Sequence, residues 1–249
     1  IGNPQNVLIG SLSQVPAGEY FLSAAPISFL GLIMLYLAIS FKYKNDLSVS
    51  FEYKSDNNSI IHKYLLSKTI IVLALVIIFY LVGFDLSLTA SFGAAFLLIN
   101  ARIKPERVYE DIDFNLLIMF IGLFIIIAGV EKSGLLDLIN SFLPPEYMKE
   151  IPLFSVMAIV LSNIVSNVPA VLLLRYYIPV DEQILWQALA LLSTIAGNLT
   201  VFGSIANLIV IEIAKKQGIK VTSNQYLKIG FPLTILLSII SIIWFEFIN

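Results

Sequence analysis

Three short stretches gather polar side chains in an otherwise apolar chain. "SNIVSNVPAVLLL" (162–174) groups Ser162, Asn163, Ser166, Asn167 and Pro169. "GNLTVFGSIANLIV" (197–210) groups Gly197, Asn198, Thr200, Gly203, Ser204 and Asn207. The opening "IGNPQN" groups Gly2, Asn3, Pro4 and Asn6. None of the three contains an acid, a base or a cysteine. Hydrolysis needs a nucleophile with its base, or metal ligands. The chain has one histidine, no cysteine and no His-Glu pattern, and its His62 falls in a polar loop where it reads as solvated. An enzyme is therefore not expected. Neutral amides and hydroxyls beside glycine and proline are suited instead to binding and releasing a small ion.

The elements that carry these stretches follow from composition. Of 249 residues, 58% are hydrophobic and 13% charged, against about 25% charged in soluble domains. Mean hydropathy is +0.90. Apolar runs at 19–40, 69–84, 86–101, 114–130 and 225–248 approach the roughly 20 residues a membrane helix needs. They lack the alternation of a membrane β-barrel. The expected fold is all-α and polytopic in a membrane. A scaffold without transport would have no reason to keep polar breaks at membrane depth.

The basic residues orient the spans. Lys42, Lys44, Lys54, Lys63, Lys68, Arg102, Lys104, Arg107, Lys215, Lys216, Lys220 and Lys228 lie between apolar runs that can share one side. They are twelve of the fifteen basic residues; Lys132, Lys149 and Arg175 remain opposite. The positive-inside rule makes the first group cytoplasmic. Parity then requires 151–178 to enter and leave by one face. Its apolar arms flank Ser162, Asn163, Ser166, Asn167 and Pro169, and neither is long enough to span. A re-entrant hairpin satisfies both constraints; one tilted, proline-kinked helix is the alternative.

Asp181 is the expected cap of the next helix, which runs to about Ala196, is interrupted by "GNLTVFGS", and resumes through Ala214. A discontinuous helix of this kind, over about 182–216, exposes N–H groups on one side and carbonyls on the other. A glycine hinge that serves packing alone is the plainer alternative. "IGNPQNVLI" (1–9) aligns without gaps on "FGSIANLIV" (202–210), matching Gly2 to Gly203 and Asn6 to Asn207. Downstream, Tyr20 and Pro26 share the spacing of Tyr226 and Pro232. An odd number of intervening crossings makes the two copies antiparallel, the inverted-repeat arrangement of many secondary transporters. On the helix 86–101, Ser87, Ser91 and Ala95 read as a close-packing stripe near a dimer contact.

These motifs, with "DIDFNLLIMFIGLFIIIAGVEKSGLLDLI" (111–139), resemble the ion transporter superfamily in its arsenite-permease and citrate-transporter-like branch. The resemblance implies two inverted repeats, each with a re-entrant hairpin and a broken helix, assembled as a homodimer. It places substrate and coupling ion among Asn3, Pro4, Asn6, Ser162, Asn163, Ser166, Asn167, Pro169, Gly197, Asn198, Thr200, Gly203, Ser204 and Asn207. Ser166, Asn167 and Asn198 are the candidate sodium site. The family's first hairpin would precede Ile1, so the chain is expected to be a fragment. Residues 1–41 would end the N-terminal repeat, 42–68 would be the cytoplasmic linker, and 69–249 would be the C-terminal repeat.

The expected function is ion-coupled secondary transport of a small anion such as arsenite, citrate or a dicarboxylate. Sodium/proton antiport is the alternative; it needs a titratable group, for which Asp85, Glu131 and Glu212 are candidates. No cofactor is expected beyond a coupling sodium or proton. Lipid and the small anion are the expected partners, with no nucleic acid, and the expected location is the plasma membrane.

Overall fold

Helices follow the apolar runs closely in the computed structural model, which describes residues 3–45, 62–99, 112, 114–134, 141 and 148–248. Among them lie α1 (Pro4–Leu12), α2 (Ala17–Lys42), α3 (Lys63–Val82), α4 (Leu86–Leu98) and α5 (Phe114–Lys132). After these come α6 (Ile151–Val165), α7 (Asn167–Leu174), α8 (Gln183–Ala196), α9 (Ile205–Lys216) and α10 (Ser223–Ile248). No strand occurs among the described residues. Most of the linker expected at 42–68 and of the basic segment near 102–113 falls outside them, as does Gly2.

α2, α3 and α10 are long and apolar enough to cross a membrane. α2 carries Glu19 in its first turn and Lys42 in its last, charges that complement the helix dipole. α3 begins at Lys63, earlier than its apolar run, and stops at Gly83, whose φ of 104° is left-handed. There the Phe84 N–H donates to Phe79 O at 3.0 Å, closing a glycine-terminated helix end. Asp85 immediately restarts the chain: its Oδ1 accepts from the Leu88 N–H at 2.8 Å and caps α4.

α4 is shorter than the span expected over 86–101. Its 13 helical residues rise about 20 Å, less than the roughly 30 Å hydrocarbon core. Lys68 of α3 meets the end of α4. Its Nζ donates to the carbonyls of Phe96 at 2.7 Å and Ile99 at 2.8 Å, satisfying the unpaired end of α4. Gly93 sets the approach of the pair, because a Cβ there would lie 2.7 Å from Val76 Cγ2. Ser87, Ser91 and Ala95, read as a packing stripe near a dimer contact, are exposed in the single chain. α4 meets α3 through Gly93, one face away.

The core is built around α8, which packs against α6, α7, α10, α1 and α2. Every residue from Leu185 to Ser193 is buried, including polar Gln187 and Ser193. Phe154, Ala158, Val171 and Phe245 close around it. α2 to α5 bury few residues and expose large apolar ones such as Phe29, Leu32, Ile71, Phe92 and Ile126. Surface of that kind is a liability in water and is the normal contact with lipid. The protein is an α-helical membrane protein.

A helix break stapled by asparagines

The chain reverses sharply between α6 and α7. Ser166 lies at φ 75°, ψ 161°, a backbone region that non-glycine residues rarely occupy. The two arms then pack against each other. Pro152 at the start of α6 and Pro169 in the first turn of α7 sit where a helix needs no N–H donor. Asn167 opens α7 at the tip of this turn and is buried.

The second discontinuity faces the first. α8 ends at Ala196 and α9 starts at Ile205, joined by a 3-10 turn at Val201–Gly203 flanked by extended Thr200 and Ser204. The cap of α8 is Glu182, not the expected Asp181, and its side chain makes no capping bond. The Asp181 carbonyl is already engaged by the Gln183 N–H at 3.0 Å.

Three asparagines hold the break shut. Asn163 Nδ2 donates to Ile159 O and to Ala196 O, each at 3.0 Å. With its amide nitrogen turned toward acceptors, Asn167 donates to Ser193 O at 3.1 Å and Gly203 O at 3.3 Å. Asn207 Nδ2 donates to Gly197 O at 2.8 Å and to the Tyr226 hydroxyl at 2.9 Å. A primary amide has two hydrogens, so each of these nitrogens is committed within the protein. What the asparagines retain is acceptor oxygen; Asn163 Oδ1 receives only a long bond from Thr200 Oγ1, at 3.4 Å. The glycines make the closure possible: a Cβ on Gly203 would lie 2.9 Å from both Asn163 Oδ1 and Gly197 O. One on Gly197 would lie 3.0 Å from the Asn167 amide.

Other candidates are placed differently. Ser162 is fully buried and its hydroxyl has no hydrogen-bond partner. Ser204 caps α9, its Oγ accepting from the Ala206 N–H at 3.3 Å. Asn198 is exposed, and its carbonyl packs against Gly230. Asn3 and Pro4 start α1 as cap and first residue, with Pro4 exposed.

Asn6 is buried and reaches toward the second break. Its Oδ1 lies 3.5 Å from Thr194 Oγ1, while Gln5 Nε2 donates to the same hydroxyl at 3.3 Å. The hydroxyl's one hydrogen goes to Ala190 O, at 2.8 Å. A cavity of about 20 Å³, room for one water, is bordered by Asn6, Tyr20, Tyr80 and Gln187. Gln5, Gln187, Thr194 and Tyr226 are thus site neighbours that motif reading did not single out. The shared Tyr/Pro spacing was the available signal for Tyr226.

The three candidate carboxylates have structural positions. Asp85 caps α4, Glu131 is exposed at the end of α5, and Glu212 lies 3.9 Å from Lys216 on the exposed face of α9. Among the described residues no group of His, Cys, Asp and Glu is arranged to hold a metal ion.

Known proteins bear on this geometry. A family model described as "Citrate transporter" matches residues 1–191. The Dictyostelium discoideum protein named "Putative transporter arsB" is 35% identical over 69% of this chain and 32% of its own length. The silicon efflux transporter LSI3 of Oryza sativa subsp. japonica is 32% identical over 66% of this chain and 37% of its own. A 46 kDa membrane protein of Mycobacterium leprae is 23% identical over 95% of this chain and 60% of its own. The chain therefore spans about a third of the length of the first two relatives. No solved structure matches it. With a family model matching residues 1–191, most of its length, the chain belongs to the citrate transporter family.

Proposed function

We propose that the full-length protein is a secondary active transporter moving a small anion, or the neutral acid it derives from, by ion-coupled alternating access. One observation carries the reading: the chain reversal at Ser166 and the helix break at 197–204 meet inside the apolar bundle, and Asn163 and Asn167 of the first bond backbone at the second. Non-helical backbone at membrane depth is tolerated where it lies inside protein or lines a watery cavity.

The polar groups divide by charge preference. Amide nitrogens of Asn163, Asn167 and Asn207 are used internally, so an anion would draw on the helix N-termini of α7 and α9 and on the Ser166 hydroxyl. Acceptor oxygens remain for a cation, and Ser166, Asn167 and Asn198 are the proposed sodium ligands. The relative named as a silicon efflux transporter suggests an oxyacid as substrate; the family description suggests citrate.

The halves of the chain share details beyond sequence. Asn3 and Ser204 occupy the same cap position, and Asn6 and Asn207 the same place in the first turn. α2 and α10 each contain 26 residues and an internal proline, Pro26 and Pro232, ten residues in. These matches support a repeat; on the same proposal it is inverted, 151–178 is a re-entrant hairpin, 42–68 is the linker, and the full-length protein is a homodimer in the plasma membrane.

The test is flux into proteoliposomes holding the full-length protein, comparing arsenite, silicic acid, citrate and dicarboxylates with and without sodium or pH gradients. We expect gradient-dependent movement of at least one, abolished by Asn167→Ala and by Asn198→Ala while membrane insertion stays normal. Wild-type flux in both variants removes the site assignment. Sodium-dependent proton movement without anion flux replaces the reading with sodium/proton antiport.

A further inference from the structure

Asn207 joins three parts of the fold through one nitrogen. Its Nδ2 lies 2.8 Å from Gly197 O at the end of α8, 3.4 Å from Thr200 O in the break and 2.9 Å from the Tyr226 hydroxyl on α10. The two short bonds use both hydrogens, leaving no donor for a ligand. The other half of the chain repeats the asparagine–phenol pair: Asn6, in the first turn of α1, donates to the Tyr20 hydroxyl of α2 at 3.4 Å. In each case an asparagine in the helix after a cap residue meets a phenol near the start of the following apolar helix. The separations in sequence differ, 14 residues against 19, yet the partners are the same. Packing alone does not require the same donor and acceptor to recur at matched positions.

We propose that Tyr20 and Tyr226 are paired positioning residues: Tyr226 holds the break at 197–204 against α10 through Asn207, and Tyr20 holds the start of α1 against α2 through Asn6, so that both asparagines shape the binding site without contacting substrate. This rests on the transporter reading. It reassigns two residues that sequence reasoning placed among the ligands.

Tyr226→Phe removes one hydroxyl and little else. In the full-length protein we expect it to raise the half-saturating substrate concentration about five- to tenfold, the scale of one lost hydrogen bond, with the maximal rate nearly unchanged. Tyr20→Phe should act in the same direction, and Tyr36→Phe, on the exposed face of α2, should do nothing. Asn207→Ala combined with Tyr226→Phe should be no worse than Asn207→Ala alone, because both remove one contact. Additive losses mean that Asn207 meets substrate directly, and overturn the proposal.

A second readout does not depend on transport. Val201 is buried within the break, so a Val201→Cys reporter reacts with a membrane-impermeant maleimide only when the break opens. Adding Tyr226→Phe should speed that reaction several-fold. An unchanged rate overturns the proposal whatever the flux shows. Absence of any flux in the wild type defeats the transporter reading alone, and the labelling result still decides the role of the tyrosine.

Discussion

At the scale of single residues, the break depends on the absence of two side chains and the presence of three amides. A Cβ at Gly203 would meet Asn163 Oδ1 and Gly197 O, both at 2.9 Å, and one of those is backbone that cannot swing aside. Gly203→Ala should therefore cost about 1–3 kcal/mol and loosen or displace the Asn163 contact. Gly122→Ala, with nothing within 4 Å of the added carbon, should be neutral. Thermal unfolding in detergent compares the two; equal midpoints would mean that the break has slack. The amides were legible in the sequence as polar residues at membrane depth, which neutral side chains at 162–167 and 197–207 announce against an apolar background. Their direction was not. A motif shows that Asn163 is polar, whereas only the fold shows that its hydrogens are spent on Ile159 and Ala196. Gln5 and Thr194 escaped for a related reason, since their pairing spans 189 residues and leaves no local pattern.

Between elements, the prominent feature is how closely helices approach where side chains are small or long polar ones turn back. α3 and α4 meet at Gly93, and Lys68 of α3 fills the carbonyl end of α4. Gly93→Val should part the two helices, since a branched side chain cannot fit against Val76, itself stiff at χ1. Ala95→Val, on the exposed face, should leave them together. Faster hydrogen exchange across α4 in the first variant and wild-type exchange in the second is the expected result; the reverse order would restore the serine stripe as the contact. That stripe illustrates the limit of periodicity. Small residues four apart mark a smooth face, but which smooth face meets a neighbour depends on how the preceding turn at Gly83 and Asp85 sets the rotation. Helix existence was readable from apolar length, whereas the end of α4 is capped by Lys68 from 28 to 31 residues away in sequence.

For the molecule as a whole, two kinds of contact join the halves. α2 and α10 pack directly: Leu237 sits 3.2 Å from a carbon placed on Gly31, and Trp244 Nε1 donates to Ser23 O at 3.0 Å. This contact is mainly apolar and part of the continuous core. α1 meets α8 through Gln5, which donates to the Thr194 hydroxyl at 3.3 Å, with Asn6 Oδ1 3.5 Å from the same oxygen. Long polar bonds give up little when broken and can be exchanged for water, whereas opening a packed apolar contact forfeits its burial. If alternating access moves one part of the molecule past another, the surface that slides should be the polar one. A short bifunctional thiol cross-linker makes the contrast measurable in the full-length protein. Bridging Gln5→Cys to Thr194→Cys should arrest flux reversibly, recovering when the link is cleaved. Bridging Gly31→Cys to Leu237→Cys should leave it within about twofold of the uncross-linked variant, because that pair lies in the fixed core. Arrest by the second link and tolerance of the first would reverse the assignment, making α2 and α10 the surfaces that part and the α1–α8 contact the static one.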